Sequence, residues 1–268
     1  MYISFYVCTL YYLYCCYGVS INDDDNDVMF VADCFLDLNF VVDSSGSINE
    51  GPGNWNITLQ FVSNVVRQFT IGPNNVQVAF VLFSDVATVE WGLTQYSDLA
   101  SLIDAIRNVR YIGSATNLND ALYVTRTRVF APGRGTRRNA IKVTIILTDG
   151  EDNVPVEGTP LTIANATACK RDGIRLIGIG VSDDVNRARL LQIVSSPTDY
   201  HSVDDFNALR TIIDQLTPHI CVTTPGPGPS IRLHSTCLYT YTRSVSRTCV
   251  TVVVKLLRQT TRTKMLHA

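Results

Sequence analysis

Four apolar runs, Phe35–Val42, Val76–Phe83, Lys142–Thr148 and Ile174–Val181, restrict this chain to a narrow set of folds. Each is too short for a core helix and is bounded by turn residues, so each reads as a buried strand. Between them the periodicity changes. Ile57, Phe61, Val62, Val65 and Phe69 form one helical stripe, and Leu99, Leu102, Ile103, Ile106 and Val109 form another. Asn54 and Ser97 are placed to cap these two helices. Further helices are expected over Leu118–Phe130, Thr162–Arg171, Asn186–Val194 and Phe206–Leu216, with short strands at Thr88–Trp91 and Tyr200–Val203. Strand and helix alternate throughout. The pattern predicts an α/β fold: a doubly wound, mostly parallel six-stranded sheet with helices on both faces. Thr88–Trp91, entered by the tight turn at Ser84-Asp85, is its one short antiparallel edge strand.

The first run ends in Asp43-Ser44-Ser45-Gly46-Ser47, a carboxylate and two hydroxyls at alternate positions, with Gly46 giving the backbone room to curl. Oxygen-only ligands suit a hard divalent cation better than zinc or copper. Alone, the pentapeptide is ordinary loop composition. Topology adds the rest. Crossover helices make the Val76 and Lys142 strands end at the same edge of the sheet as the first strand. The antiparallel strand descends, the next helix climbs, and the Tyr111–Asn117 loop arrives at that edge too. Asp43, Ser45, Ser47, Thr116 and Asp149 therefore gather at the carboxyl end of the sheet, beside the reversal of strand order where open α/β sheets bind ligands. Asp85, Glu151, Asp152, Asp183 and Asp184 follow strands ending there and are expected to form an acidic rim. His201, His219, His234 and His267 are scattered, and no nucleophile–base pair accompanies the site, so an enzyme is not expected.

Phe40 to Ile48, Gly113 to Asn117 and Leu147-Thr148-Asp149-Gly150 together resemble a von Willebrand factor type A domain, over roughly Cys34 to Cys221. The resemblance implies a metal-ion-dependent adhesion site. Ser45, Ser47 and Thr116 would bind Mg²⁺ or Mn²⁺, with Asp43 and Asp149 acting directly or through water. Three neutral hydroxyls would leave the cation short of negative charge and favour an Asp or Glu carboxylate from a protein partner. Ser114 and Ala115 stand where the family often has Gly. Ser182-Asp183-Asp184 passes straight into the next helix, and no acid follows Asp214. These departures resemble the matrix branch, such as matrilins and type VI collagens, more than integrin switches. The expected role is an extracellular adhesion module of the matrix that binds its partner through the metal. The alternative is a matrix-structural module that associates without metal.

Residues 1–20 carry no charge and end in Gly18-Val19-Ser20, which reads as a secretory leader; a buried or anchoring segment is the alternative. Residues 21–33 form an acidic spacer, 34–221 the domain, 222–230 a Pro/Gly linker and 231–268 a basic tail. The net charge of −2 hides +7 beyond Cys221, leaving −9 on residues 1–220, a body unlike a nucleic-acid binder. No stretch is long and apolar enough for a membrane span. Of eight cysteines, three lie in the leader; Cys34, Cys169, Cys221, Cys237 and Cys249 remain. Cys34 and Cys221 both fall at the bottom of the sheet, and a disulfide between them would close the domain as in several secreted relatives. Cys169 is expected as a buried free thiol. Cys237 and Cys249 pair with each other or with another chain. Asn56-Ile57-Thr58 and Asn165-Ala166-Thr167 are glycosylation sequons, with Asn56 the more accessible. Arg134–Arg138 is a basic loop at the bottom, either solvated or in contact with a polyanion.

Overall fold

The computed structural model describes residues 19–21, 28–30, 34–150, 158–182, 185–213, 216 and 220. The linker, the tail, Cys221, Cys237, Cys249 and nearly all of the leader and spacer lie outside the described residues. Two short strands, β1 (Val19–Ile21) and β2 (Val28–Phe30), pair antiparallel within the segments read as leader and spacer. Their Val and Ile residues suit the extended backbone.

The main sheet has six strands: β3 (Leu36–Asp43), β4 (Val76–Phe83), β5 (Ala87–Trp91), β6 (Ile141–Thr148), β7 (Ile174–Val181) and β8 (Tyr200–Val203). Their order is β5-β4-β3-β6-β7-β8, with β5 antiparallel at one edge and every other pairing parallel. Strand order thus reverses at β3. In β3 and β4 every residue is buried, as a parallel strand covered on both faces must be. Leu36, Leu38, Phe40 and Val42 face one layer, which contains α1 (Asn54–Val66), α2 (Leu99–Arg107) and a 3₁₀ segment, Phe206–Ile212. Val41 and Ile146 face the other, formed by α3 (Leu118–Val124), α4 (Gly158–Arg171) and α5 (Arg187–Ile193). No helix among the described residues is long and apolar enough to cross a membrane.

Several local expectations are corrected. Asn54 does not cap α1; Gly53 does, at φ 85°, and Asn54 is the first helical residue. Asp98, not Ser97, caps α2, its carboxylate accepting from the Ser101 N–H at 2.9 Å. A carboxylate is the stronger acceptor for an orphan helix N–H. The single helix expected over Leu118–Phe130 is α-helical only to Val124 and continues as a π turn over Thr125–Val129. There Thr125 is fully buried and its hydroxyl accepts from Asn39 Nδ2 at 3.2 Å. The extra residue of a π turn accompanies this polar contact with the sheet. The last helix, expected over Phe206–Leu216, opens as a 3₁₀ segment over Phe206–Ile212 capped by Asp205, and Ile213, Leu216 and Ile220 are α-helical.

The bottom of the sheet holds a further correction. Arg137 does not belong to a solvated basic loop. Its side chain is 14% exposed and its Nε lies 2.7 Å from an oxygen of Asp37, which is fully buried in β3. Its Nη2 donates to the Leu36 and Asn75 carbonyls, and its guanidinium lies 4.0 Å over the Phe35 ring. A guanidinium can do all of this because its donors form a planar fork.

Candidate metal centre

At the top of β3, Asp43 is fully buried between β4 and β6. One carboxylate oxygen accepts the Ser45 N–H at 2.8 Å, closing the turn that reverses the chain. The other accepts the Thr148 hydroxyl at 2.6 Å, from the last residue of β6. The Ser45 and Ser47 hydroxyls lie 3.1 Å apart, and the Ser47 hydroxyl donates to Asp149 at 2.9 Å. Thr148, Asp43, Ser45, Ser47 and Asp149 are therefore linked in one series of hydrogen bonds whose two ends, Thr148 and Asp149, are neighbours in sequence.

Thr116 comes to this end on a loop tied to two strands. Gly113 N donates to the Ser44 carbonyl and Gly46 N to the Ser114 carbonyl, both at 2.8 Å. The Tyr111 hydroxyl donates to the Ser45 carbonyl at 2.7 Å. On the other side Ser84, just past β4, accepts from Ser114 N, donates to the Ala115 carbonyl at 2.9 Å and takes the Asn117 N–H on its own carbonyl. Thr116 sits between the last two of these and is 4% exposed. The left-handed residue that lets this loop turn is Gly113, at φ 79°. Gly46, expected to give the Asp43–Ser47 loop room to curl, has no positive φ; its N–H is a rung between the two loops.

Burial pushes the Asp43 carboxyl up to about 7. The Thr148 and Ser45 bonds work against that rise, and the charge of Asp149 adds to it. The groups that act on Asp43 are thus hydroxyls, an amide and a second carboxylate, with no cationic side chain among them. A buried acid compensated so weakly, in a set of donors that are all oxygens, fits a hard divalent cation.

Sequence reasoning missed Thr148, Ser84, Ser44 and Tyr111, the residues that hold the candidate ligands rather than serve as them. Their one sequence signal is position: Thr148 and Ser84 are hydroxyl residues at the carboxyl ends of buried strands. Of the expected acidic rim, Asp85 is exposed, while Glu151, Asp152, Asp183 and Asp184 lie outside the described residues. Of the sequons, Asn56 is exposed on α1. Asn165 is half-buried and its amide donates to Asn119 at 2.8 Å.

The sequence model of the von Willebrand factor type A domain matches residues 37–215. The chain is 34% identical over 194 residues to the collagen alpha-1(XII) chain of Notophthalmus viridescens, covering 72% of this chain and 20% of the collagen. It is 30% identical to cochlin of Homo sapiens, over 70% of this chain and 33% of cochlin. It thus spans a third or less of the length of these two relatives. Among solved structures, proximal thread matrix protein 1 from the mussel byssus, with a zinc-occupied MIDAS motif, is 31% identical with a TM-score of 0.64. That match covers 70% of this chain and 46% of the byssus protein.

Proposed function

Because the chain belongs to the von Willebrand factor type A family, we propose that Ser45, Ser47 and Thr116, with Asp43 and Asp149, hold a divalent cation, Mg²⁺ or Mn²⁺, in an extracellular adhesion module. Its collagen and cochlin relatives are matrix proteins, and secretion into the matrix is the reading that fits them. When bound, the cation supplies an open coordination position that attracts an Asp or Glu carboxylate of a partner protein.

The observation that carries this reading is the series of hydrogen bonds at the top of β3, around a buried acid that no cationic side chain accompanies among the described residues. Each residue has a distinct task. Asp43 fixes the turn through Ser45 N and anchors it to β6 through Thr148. Ser45 and Ser47 present hydroxyls at the rim of the turn, and Asp149 orients Ser47. Ser84 and Tyr111 hold the Thr116 loop against that turn. Hydroxyls and carboxylates of this kind suit holding a cation and a partner's carboxylate, so the role we assign is binding. The acids that follow β4, β6 and β7 favour a partner whose coordinating carboxylate is flanked by Lys or Arg, since opposite charge speeds encounter.

The test is a pull-down from matrix extract with Mg²⁺, with EDTA, and with the Ser47→Ala variant, alongside direct calorimetric titration of Mg²⁺. Capture that needs Mg²⁺ and is lost with EDTA and in the variant is expected. Capture that survives EDTA would establish instead a matrix-structural module associating without metal.

A further inference from the structure

A groove of about 390 Å³ is lined by residues of α1 and α2, and begins at Asn56, nine positions beyond Ser47. Its wall on α1 is Asn56, Gln60, Ser63, Asn64 and Arg67; α2 contributes Arg107. Asn56 and Arg67 are eleven residues apart, so at 1.5 Å per residue the wall is about 16 Å long. Two features mark it as built to receive something polar. Ser63 is 5% exposed, and its hydroxyl has no hydrogen-bond partner. Among the described residues Arg107 pairs with the exposed Asp104 at 3.9 Å, a contact that does little to hold its guanidinium in place. At the amino end of the same wall stands Asn56, exposed and first in the sequon Asn56-Ile57-Thr58.

We propose that Asn56 carries an N-linked glycan whose core lies along this groove, against Gln60, Asn64, Arg67 and Arg107. The proposal rests on the extracellular reading above, since the modification is made during export. The Asn56 side-chain nitrogen bonds to the anomeric carbon of a polyprenyl-diphosphate-linked oligosaccharide. The sugar–diphosphate C–O bond breaks, the polyprenyl diphosphate leaves, and the amide gives up one proton. The chemistry of the wall matches a sugar. The Gln and Asn amides both donate and accept, the arginines donate to hydroxyl and acetamido oxygens, and nearly buried Leu59 at the floor offers an apolar surface to a ring face. Asn165 has no such setting, because its amide is spent on Asn119 in the α3–α4 contact. The occupant is therefore the chain's own, tethered at one end of its site, and the tether supplies a high effective concentration that weak contacts suffice to hold.

The full chain is expressed in a eukaryotic secretory host and the medium analysed by peptide mass mapping. Glycan on Asn56, lost in Asn56→Gln, is expected. Native protein is then treated with an endoglycosidase that cuts within the core. Release should be roughly tenfold faster from the Arg67→Ala/Arg107→Ala double variant, the effect of losing one or two ordinary hydrogen bonds. Exported chain with bare Asn56 would overturn the site while sparing the extracellular reading; chain retained without glycan would overturn both. Equal release from native and double-variant protein would overturn the seating in the groove.

Discussion

The Thr148 hydroxyl donates to the buried Asp43 carboxylate at 2.6 Å, joining the ends of the two central strands β3 and β6 directly beneath the candidate ligands. This bond makes Asp43 a structural residue as well as a candidate ligand. Replacing Asp43 with Ala would leave the Thr148 hydroxyl and the Ser45 N–H without their acceptor, so loss of binding in that variant would be mixed with loss of stability.

Thr148→Val separates the two effects from the other side. It keeps the shape but removes the donor, and at pH 8, where Asp43 is mostly ionised, it should destabilise the metal-free domain by about 1.5–3 kcal/mol, the usual range for a bond to a charged group. Ser47→Ala, at a half-buried position, should leave stability within about 1 kcal/mol and abolish Mg²⁺ binding. Urea unfolding and calorimetry on both variants check this. Full Mg²⁺ affinity in Ser47→Ala would exclude that hydroxyl as a ligand.

The opposite end of the sheet should behave differently. Arg137 and Asp37 form a nearly water-free pair that also satisfies two strand-end carbonyls. Removing one partner of such a pair strands the other charge, so Arg137→Ala should cost about 3–5 kcal/mol. Arg137→Lys should recover only part of it, because a single ammonium cannot span the fork. The measured quantity is the urea midpoint at constant m-value. Mg²⁺ affinity of the folded protein should not change, since the pair sits at the far end of β3.

How far these features could be read in advance follows from their range in sequence. β4, β7 and β8 have the bounds expected, because a run of apolar residues closed by turn residues carries its limits locally. The five candidate ligands reach one end of the sheet because the alternating directions of strands and connecting helices place them there. The residues that hold them were not legible. Thr148 meets Asp43 only because β3 and β6 pair in a register that sets Val42 beside Leu147. Ser84 meets Ala115 across 31 positions. Arg137 looked like a surface charge because its acceptor, Asp37, lies 100 residues away in a buried strand. Caps failed for a local reason: Asn54 and Ser97 each neighbour the residue that took the role.

Cys34 is disulfide-bonded and half-buried just before β3. We expect its partner to be Cys221, which follows the last helical segment. Peptide mapping without reduction should find the two joined and Cys169 as a free thiol. Closing so long a loop contributes roughly 5 kcal/mol in the chain-entropy model, so reduction should lower the urea midpoint markedly. Cys34 recovered in a peptide with Cys237 or Cys249 would refute the pairing.

Cys169 makes a prediction about alkaline pH. It is fully buried on α4, and its thiol donates to the Leu122 carbonyl at 3.5 Å. Burial pushes the thiol up to about 12, with the nearby Arg126 working in the opposite direction. An unfolded Cys ionises near 8.5. Below that value both states hold the proton and the thiol adds no pH dependence. Between about 8.5 and 12 the unfolded chain gives up a proton that the folded domain retains, so rising pH favours unfolding by up to about 1.4 kcal/mol per unit. Lys and Tyr side chains titrate in the same range, so the comparison is with Cys169→Ala, which lacks only this group. The native sequence should be the more stable of the two at pH 8, and its advantage should shrink by about 1–2 kcal/mol at pH 10 in paired urea titrations. Iodoacetamide should leave Cys169 unmodified in native protein at pH 8 and label it on unfolding. An advantage that is the same at both pH values, or labelling of the native thiol, would mean that Cys169 is not held neutral by its burial.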